Sequence, residues 1–192
     1  SNFRCWSFPG TSCPTMQLDE YRKMYALEEN FWWYRGMLRV TRQILGRYFQ
    51  AGRDIRILDA GCGTGKMLLE LDHYTHRSPV GFDFSSEAMK FLKVRGLVNV
   101  LQASTTEIPF KSGSFDLVTS FEVLCQLPGE DDLKALREFH RVLKPAGKVY
   151  VRLPAYQWMY ANHDRHQLTF RRYHRHDLIA KVEHAGCRIL RV

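Results

Sequence analysis

The chain has 192 residues, is 45% hydrophobic, and carries 28 Lys and Arg against 20 Asp and Glu, a formal net charge of +8. That length suits one globular domain with a sizeable core, and no apolar run approaches the ~20 residues of a membrane-spanning helix. The five cysteines are scattered without C-x-x-C spacing, which points to reduced thiols in a cytoplasmic protein.

Residues 1–15 contain Cys5, Trp6 and Phe8 but no continuous apolar stretch of the secretory kind, and read as a leader or disordered segment. Met16 opens a new composition, and a single domain is expected over 16–192, with a helical lid over 16–50. Tyr21 to Gln50 reads as one or two helices and includes the aromatic run Phe31-Trp32-Trp33-Tyr34. Strand expectations follow at Arg56–Ala60, Val80–Asp83, Val98–Gln102, Phe115–Ser120 and Lys148–Leu153. Helices are expected between them at Lys66–Tyr74, Glu87–Arg95 and Asp131–Val142. This alternation predicts an α/β protein with a parallel sheet covered by helices on both faces. After helix Asp177–Ala185, the segment Cys187–Val192 reads as a sixth strand.

The first strand runs into Asp59-Ala60-Gly61-Cys62-Gly63-Thr64-Gly65, three glycines spaced two apart, directly before a helix. Such a turn lets a ligand approach the main chain closely. The second strand ends at Asp83, an acid able to accept two hydrogen bonds from a ribose diol or to sit beside the N-cap of the next helix. Both uses are compatible, since Ser85 or Ser86 can cap.

Together these stretches resemble the class I S-adenosylmethionine-dependent methyltransferases. The likeness extends through Ser104-Thr105-Thr106-Glu107-Ile108-Pro109-Phe110, which is similar to the loop after the third strand, with Ser104 standing where the family has an acid. It continues through Phe115-Asp116-Leu117-Val118 and through Arg137–Gly147, where Lys144-Pro145-Ala146-Gly147 is the most specific match. Glu28-Glu29-Asn30-Phe31-Trp32-Trp33 and His163-Asp164…Arg171-Arg172-Tyr173 resemble paired segments of a small bacterial-type subgroup. The resemblance implies a Rossmann-like, doubly wound, mainly parallel sheet. The family's strand order is 3-2-1-4-5-7-6; this chain has no residues for the seventh, so either six strands or an exposed edge beside the fifth is expected.

It further implies S-adenosylmethionine as cofactor, held by Asp59, Gly61, Cys62, Gly63, Gly65, Asp83, Phe84, Ser104, Thr105 and Phe121. A small-molecule acceptor would meet Trp33, Arg35, Gln126, Arg171 and Arg172. His163 is the candidate general base, with Asp164 or Tyr173 orienting it, because Gln126 stands where relatives carry a histidine and an amide is no base at neutral pH. Trp32, Trp33 and the Arg171-Arg172-Tyr173 run serve equally well as core packing and structural anchor. No metal site is expected from His163, His166, His174 and His176, which lack accompanying cysteine or acid spacing. The positive charge is read as a solvated face, with an RNA-directed methyltransferase as the alternative. A catalytically silent S-adenosylmethionine-binding protein is the alternative from another class, and a dimer is compatible with the exposed edge.

Overall fold

The computed structural model describes residues 18–192; the expected leader, residues 1–15, lies outside the described residues. Five strands, β1 (Ile57–Ala60), β2 (Val80–Asp83), β3 (Val100–Gln102), β4 (Phe115–Phe121) and β5 (Leu143–Arg152), form one sheet in the order β3-β2-β1-β4-β5. Every pairing is parallel. Each crossover therefore needs a covering segment, and the strands at the centre are buried on both faces: all four residues of β1 are buried.

Alternate residues of β1 serve the two faces. Leu58 joins Phe82, Val118, Leu136 and Phe139 in the larger core, covered by α5 (Asp131–Val142) and α7 (Arg175–His184). Ile57 packs instead with Leu117, Leu71 and Leu45, under α2 (Trp32–Leu45) and α3 (Lys66–Leu71). The amphipathic spacing Ala135, Leu136, Phe139, Val142 gives α5 one buried stripe. Its first turn is acidic and its last basic, as the helix dipole favours. Helix α4 (Ser86–Val94) begins where Ser85 accepts the Glu87 N–H at 3.2 Å.

The N-terminal stretch divides into α1 (Leu18–Leu27) and α2, separated by a turn at residues 28–30. Strand β5 starts five residues before the expected Lys148, because Leu143 pairs with Phe115 before an irregularity lets Lys148 pair with Leu117. The expected sixth strand is corrected. Cys187–Val192 carries no strand pairing, and the Cys187 N–H donates to Val182 O at 3.1 Å, closing the end of α7. Among the described residues β5 is accordingly an open edge, beside an apolar cavity of about 1330 Å³ bounded by Tyr48 and Phe49 on one side and Leu178 and Ile189 on the other.

Candidate functional site

The site lies at the carboxyl ends of β1, β2, β4 and β5, the crevice where parallel α/β sheets take ligands. Two glycines of the turn after β1 have no room for a side chain. Gly61 has φ +80°, and a Cβ there would lie 2.3 Å from Val123 Cγ2. Gly65, the N-cap of α3, has φ +85°, and its Cβ would meet Leu97 and Leu92 at 2.4 and 2.6 Å. Gly61 and Cys62 both donate to Phe82 O, at 2.8 and 2.9 Å, which ties the turn to β2.

Two carboxylates flank this turn. Asp59 is 1% exposed; its Oδ1 accepts from Thr119 Oγ1 at 2.7 Å, while Oδ2 is buried with no partner. Burial pushes its pKa up to about 7, with the Asp83 charge adding to the rise and the Thr119 hydroxyl and Arg152 opposing it. An unpaired buried carboxylate oxygen is costly, and a ligand ammonium would satisfy it. Asp83 is also buried. It accepts the Gly63 N–H on Oδ2 at 2.9 Å, and the Ser85 N–H and Tyr21 hydroxyl on Oδ1 at 2.9 and 3.2 Å. Burial raises its pKa and those three bonds pull it down. The Cys62 thiol is buried behind the turn and pushed up by desolvation, so it is inert and serves as packing.

Helix α1, from the stretch expected as a helical lid, lies across the same turn. Tyr21 stacks near Phe91, and Met24 Cε lies 3.1 Å from where a Gly63 Cβ would be. Glu28 is buried, accepts Thr64 Oγ1 at 2.6 Å and forms an ion pair with Arg95, whose Nε donates to Thr64 O at 2.8 Å. Burial still holds the Glu28 carboxyl above its ordinary range. The acid that opens the Glu28–Trp33 segment thus fastens the end of α1 to the glycine turn.

Glu122 and Arg152, also absent from the expected set, join the ends of β4 and β5: Arg152 Nε donates to Glu122 Oε1 at 3.1 Å, and Glu122 N–H to Arg152 O at 2.9 Å. The guanidinium lies over Phe121 at 4.8 Å and Trp33 at 5.9 Å. Of the expected residues, Asp59, Gly61, Gly63, Gly65, Asp83, Phe121 and Trp33 therefore gather here. Phe84 follows β2 and is half exposed, its carbonyl accepting Gln102 Nε2 at 2.9 Å. Ser104 turns its hydroxyl onto Thr106, 2.8 Å between oxygens, beside the buried Thr105. Gln126 sits half-buried in the turn after β4, and Arg35 is exposed on α2.

The second paired segment forms braces. Arg172 holds Asp164 through Nε and Nη2 at 2.9 and 3.1 Å, and Asp164 Oδ2 also accepts the Ala161 N–H at 2.8 Å. Tyr173 donates to the fully buried Asp132 at 2.8 Å, and burial together with that bond raises the phenol well above its ordinary range. Arg171 reaches Asp132 at 3.3 Å and the Gly129 carbonyl at 2.7 Å. Thus Asp164, Tyr173, Arg171 and Arg172 spend these polar groups on protein partners. His163 lies in α6 (Asn162–His166), its side chain outside the described residues.

Residues 58–151 match the family model described as the methyltransferase domain. The ubiquinone/menaquinone biosynthesis C-methyltransferase of Geobacter sp. is 38% identical over 106 residues, covering 50% of this chain and 44% of that one. The chain spans about half the length of the curated relatives it matches. Among solved structures, a SAM-dependent methyltransferase from Methanosarcina mazei is 27% identical, covers 60% of this chain and 58% of its own, and superposes with TM-score 0.53. One from Thermotoga maritima has TM-score 0.66 at 20% identity over 88% of this chain and 76% of its own, a likeness of fold alone. The architecture is the Rossmann-like α/β fold of class I methyltransferases.

Proposed function

We propose that this protein is an S-adenosylmethionine-dependent methyltransferase acting on a small molecule. The observation that carries the reading is the unpaired, buried Asp59 Oδ2 beside a glycine turn closed to side chains. These residues fit the cofactor: Asp59 would take its ammonium, the Gly61–Gly65 backbone its amino-acid portion, and Asp83 its ribose diol once Tyr21 yields. Bound there, it supplies a methyl already activated by a sulfonium. The chain's task is then to orient an acceptor, and orientation alone supplies roughly 7–11 kcal/mol in favourable cases.

The relatives' quinone and sterol names support a small, largely apolar acceptor. Charge supports RNA less than the sequence total suggests, since Arg171, Arg172 and Lys181 are engaged by Asp132 and Asp164. Among the described residues β5 has an unpaired edge, and this supports a dimer formed there. Among the described residues no helix is long and apolar enough to cross a membrane. Calorimetry with S-adenosylhomocysteine tests the cofactor, and its release from S-adenosylmethionine with pooled metabolites tests turnover. No binding at millimolar ligand sinks the reading; binding and release abolished by Gly63→Arg sustain it.

A further inference from the structure

We propose that Glu122 is the general base of the transfer, serving an acceptor whose reacting oxygen or nitrogen carries a proton. This rests on the methyl-transfer reading above. Glu122 follows β4 directly and has φ +59°, a left-handed backbone that a residue with a Cβ adopts only at a cost. Such strain collects where a side chain must be aimed. On one side of it Val123 presses on Gly61; on the other, Phe121 forms a wall under Arg152. The carboxylate therefore springs from the backbone packed against the glycine turn.

Arg152 fixes its orientation. The guanidinium is held between Phe121 of β4 and Trp33 of α2, and grips Oε1 alone. Its Nη1 is buried and unpartnered. An arginine needed only to neutralise a carboxylate has no use for a buried orphan N–H, which costs about 1–3 kcal/mol; an oxygen of the acceptor would satisfy it. Charged and titratable groups acting on Glu122 and Arg152 also include Asp59 of β1, Cys125 from the turn after β4, Arg172 and Asp164 from the segment after β5, and Tyr34 from α2. Burial raises the Glu122 carboxyl in spite of Arg152, in the direction a base working near neutral pH requires.

The step balances. The acceptor's O–H or N–H proton passes to Glu122 as the heteroatom's lone pair forms the bond to the methyl carbon. The S–CH3 bond breaks, its electron pair stays on sulfur, and sulfonium plus carboxylate become neutral thioether plus neutral acid. The proton then leaves to water.

Sinefungin, which carries an ammonium where the methyl would be, probes this position without an acceptor or turnover. Titrated at pH 8, the wild type is expected to prefer sinefungin to S-adenosylhomocysteine by at least about tenfold, the lower end for a charge-assisted bond. Glu122→Gln should bring that ratio close to one while S-adenosylhomocysteine affinity stays within about twofold. A ratio near one in the wild type, or a preference that survives Glu122→Gln, overturns the assignment and leaves cofactor binding standing. Failure of both ligands to bind the wild type removes the methyl-transfer reading and this one with it. Should Glu122→Gln not fold, Glu122→Asp, which retracts the charge by one methylene, must give an intermediate ratio; an undiminished one refutes the proposal.

Discussion

Tyr21 of the N-terminal helix donates its hydroxyl to Asp83 Oδ1 at 3.2 Å, the same carboxylate that a ribose diol would use. Oδ1 already takes the Ser85 N–H and Oδ2 the Gly63 N–H, so a ribose hydroxyl arriving there displaces the phenol and not the backbone. On the proposed reading, cofactor entry and the position of α1 are thereby linked through one oxygen atom.

Tyr21→Phe should therefore tighten S-adenosylhomocysteine binding by about fivefold, since a displaced hydrogen bond is worth ~1 kcal/mol. The same change should lower the resting stability by a similar amount, because the bond is buried. Calorimetry and urea melts read the two effects separately. Weaker binding in the variant would mean that Tyr21 contacts the ligand directly.

Asp59 gives a pH signature with a definite sign. Its pKa rises from 3.8 to about 7 on folding, so the native state holds the proton more tightly than the unfolded chain. The destabilisation this causes is absent below pH ~4, grows as pH rises toward 7, and is complete above it. Asp59→Asn should melt higher than the wild type at pH 8, by a margin on the order of a few kcal/mol at most, and equally at pH 4. It should also lose affinity for a ligand ammonium. A stability difference independent of pH would contradict the buried, ionising carboxylate.

Glycine positions supply an internal control. Gly65→Ala meets both a positive φ and two leucine side chains closer than 3 Å, and should cost about 3 kcal/mol. Gly113→Ala shares the positive φ (+68°) but has open space, and should cost only ~1 kcal/mol. Equal losses in urea denaturation would show that backbone strain, and not the packing of α3 against Leu92 and Leu97, sets the turn.

What the sequence discloses here is what depends on neighbours in the chain. The glycine turn, Asp83 at the end of β2 and the helix Asp131–Val142 are local patterns, and the structure has them where the spacing puts them. Residues that act across the fold have no such signature. Tyr21 meets Asp83 across 62 positions and Arg95 meets Glu28 across 67, and nothing near either residue announces its partner. Glu122 is hidden for a different reason. It lies inside an ordinary strand-to-turn sequence, and only its positive φ and the Arg152 contact set it apart. The Cys187–Val192 pattern misleads in the opposite sense, since its apolar residues Cys187, Ile189, Leu190 and Val192 pack by the core and cavity without joining a strand ladder.

Asp132 is fully buried yet accepts from Tyr173 at 2.8 Å, Lys181 at 2.9 Å and Arg171 at 3.3 Å. Three segments, α5, the loop before α7 and α7 itself, converge on this one carboxylate. Removing it strands a buried phenol and two partly exposed cations. Asp132→Ala should cost about 3 kcal/mol, at the lower end for breaking a buried pair because Arg171 and Lys181 retain some solvent. Tyr173→Phe should cost only ~1 kcal/mol. Their combination should cost less than the sum, since both delete the same bond. S-adenosylhomocysteine affinity should stay within about twofold in Tyr173→Phe, as expected of a brace outside the cofactor crevice. Strict additivity in the urea series would separate Tyr173 from Asp132, and a large loss of ligand affinity in Tyr173→Phe would return that phenol to the functional site.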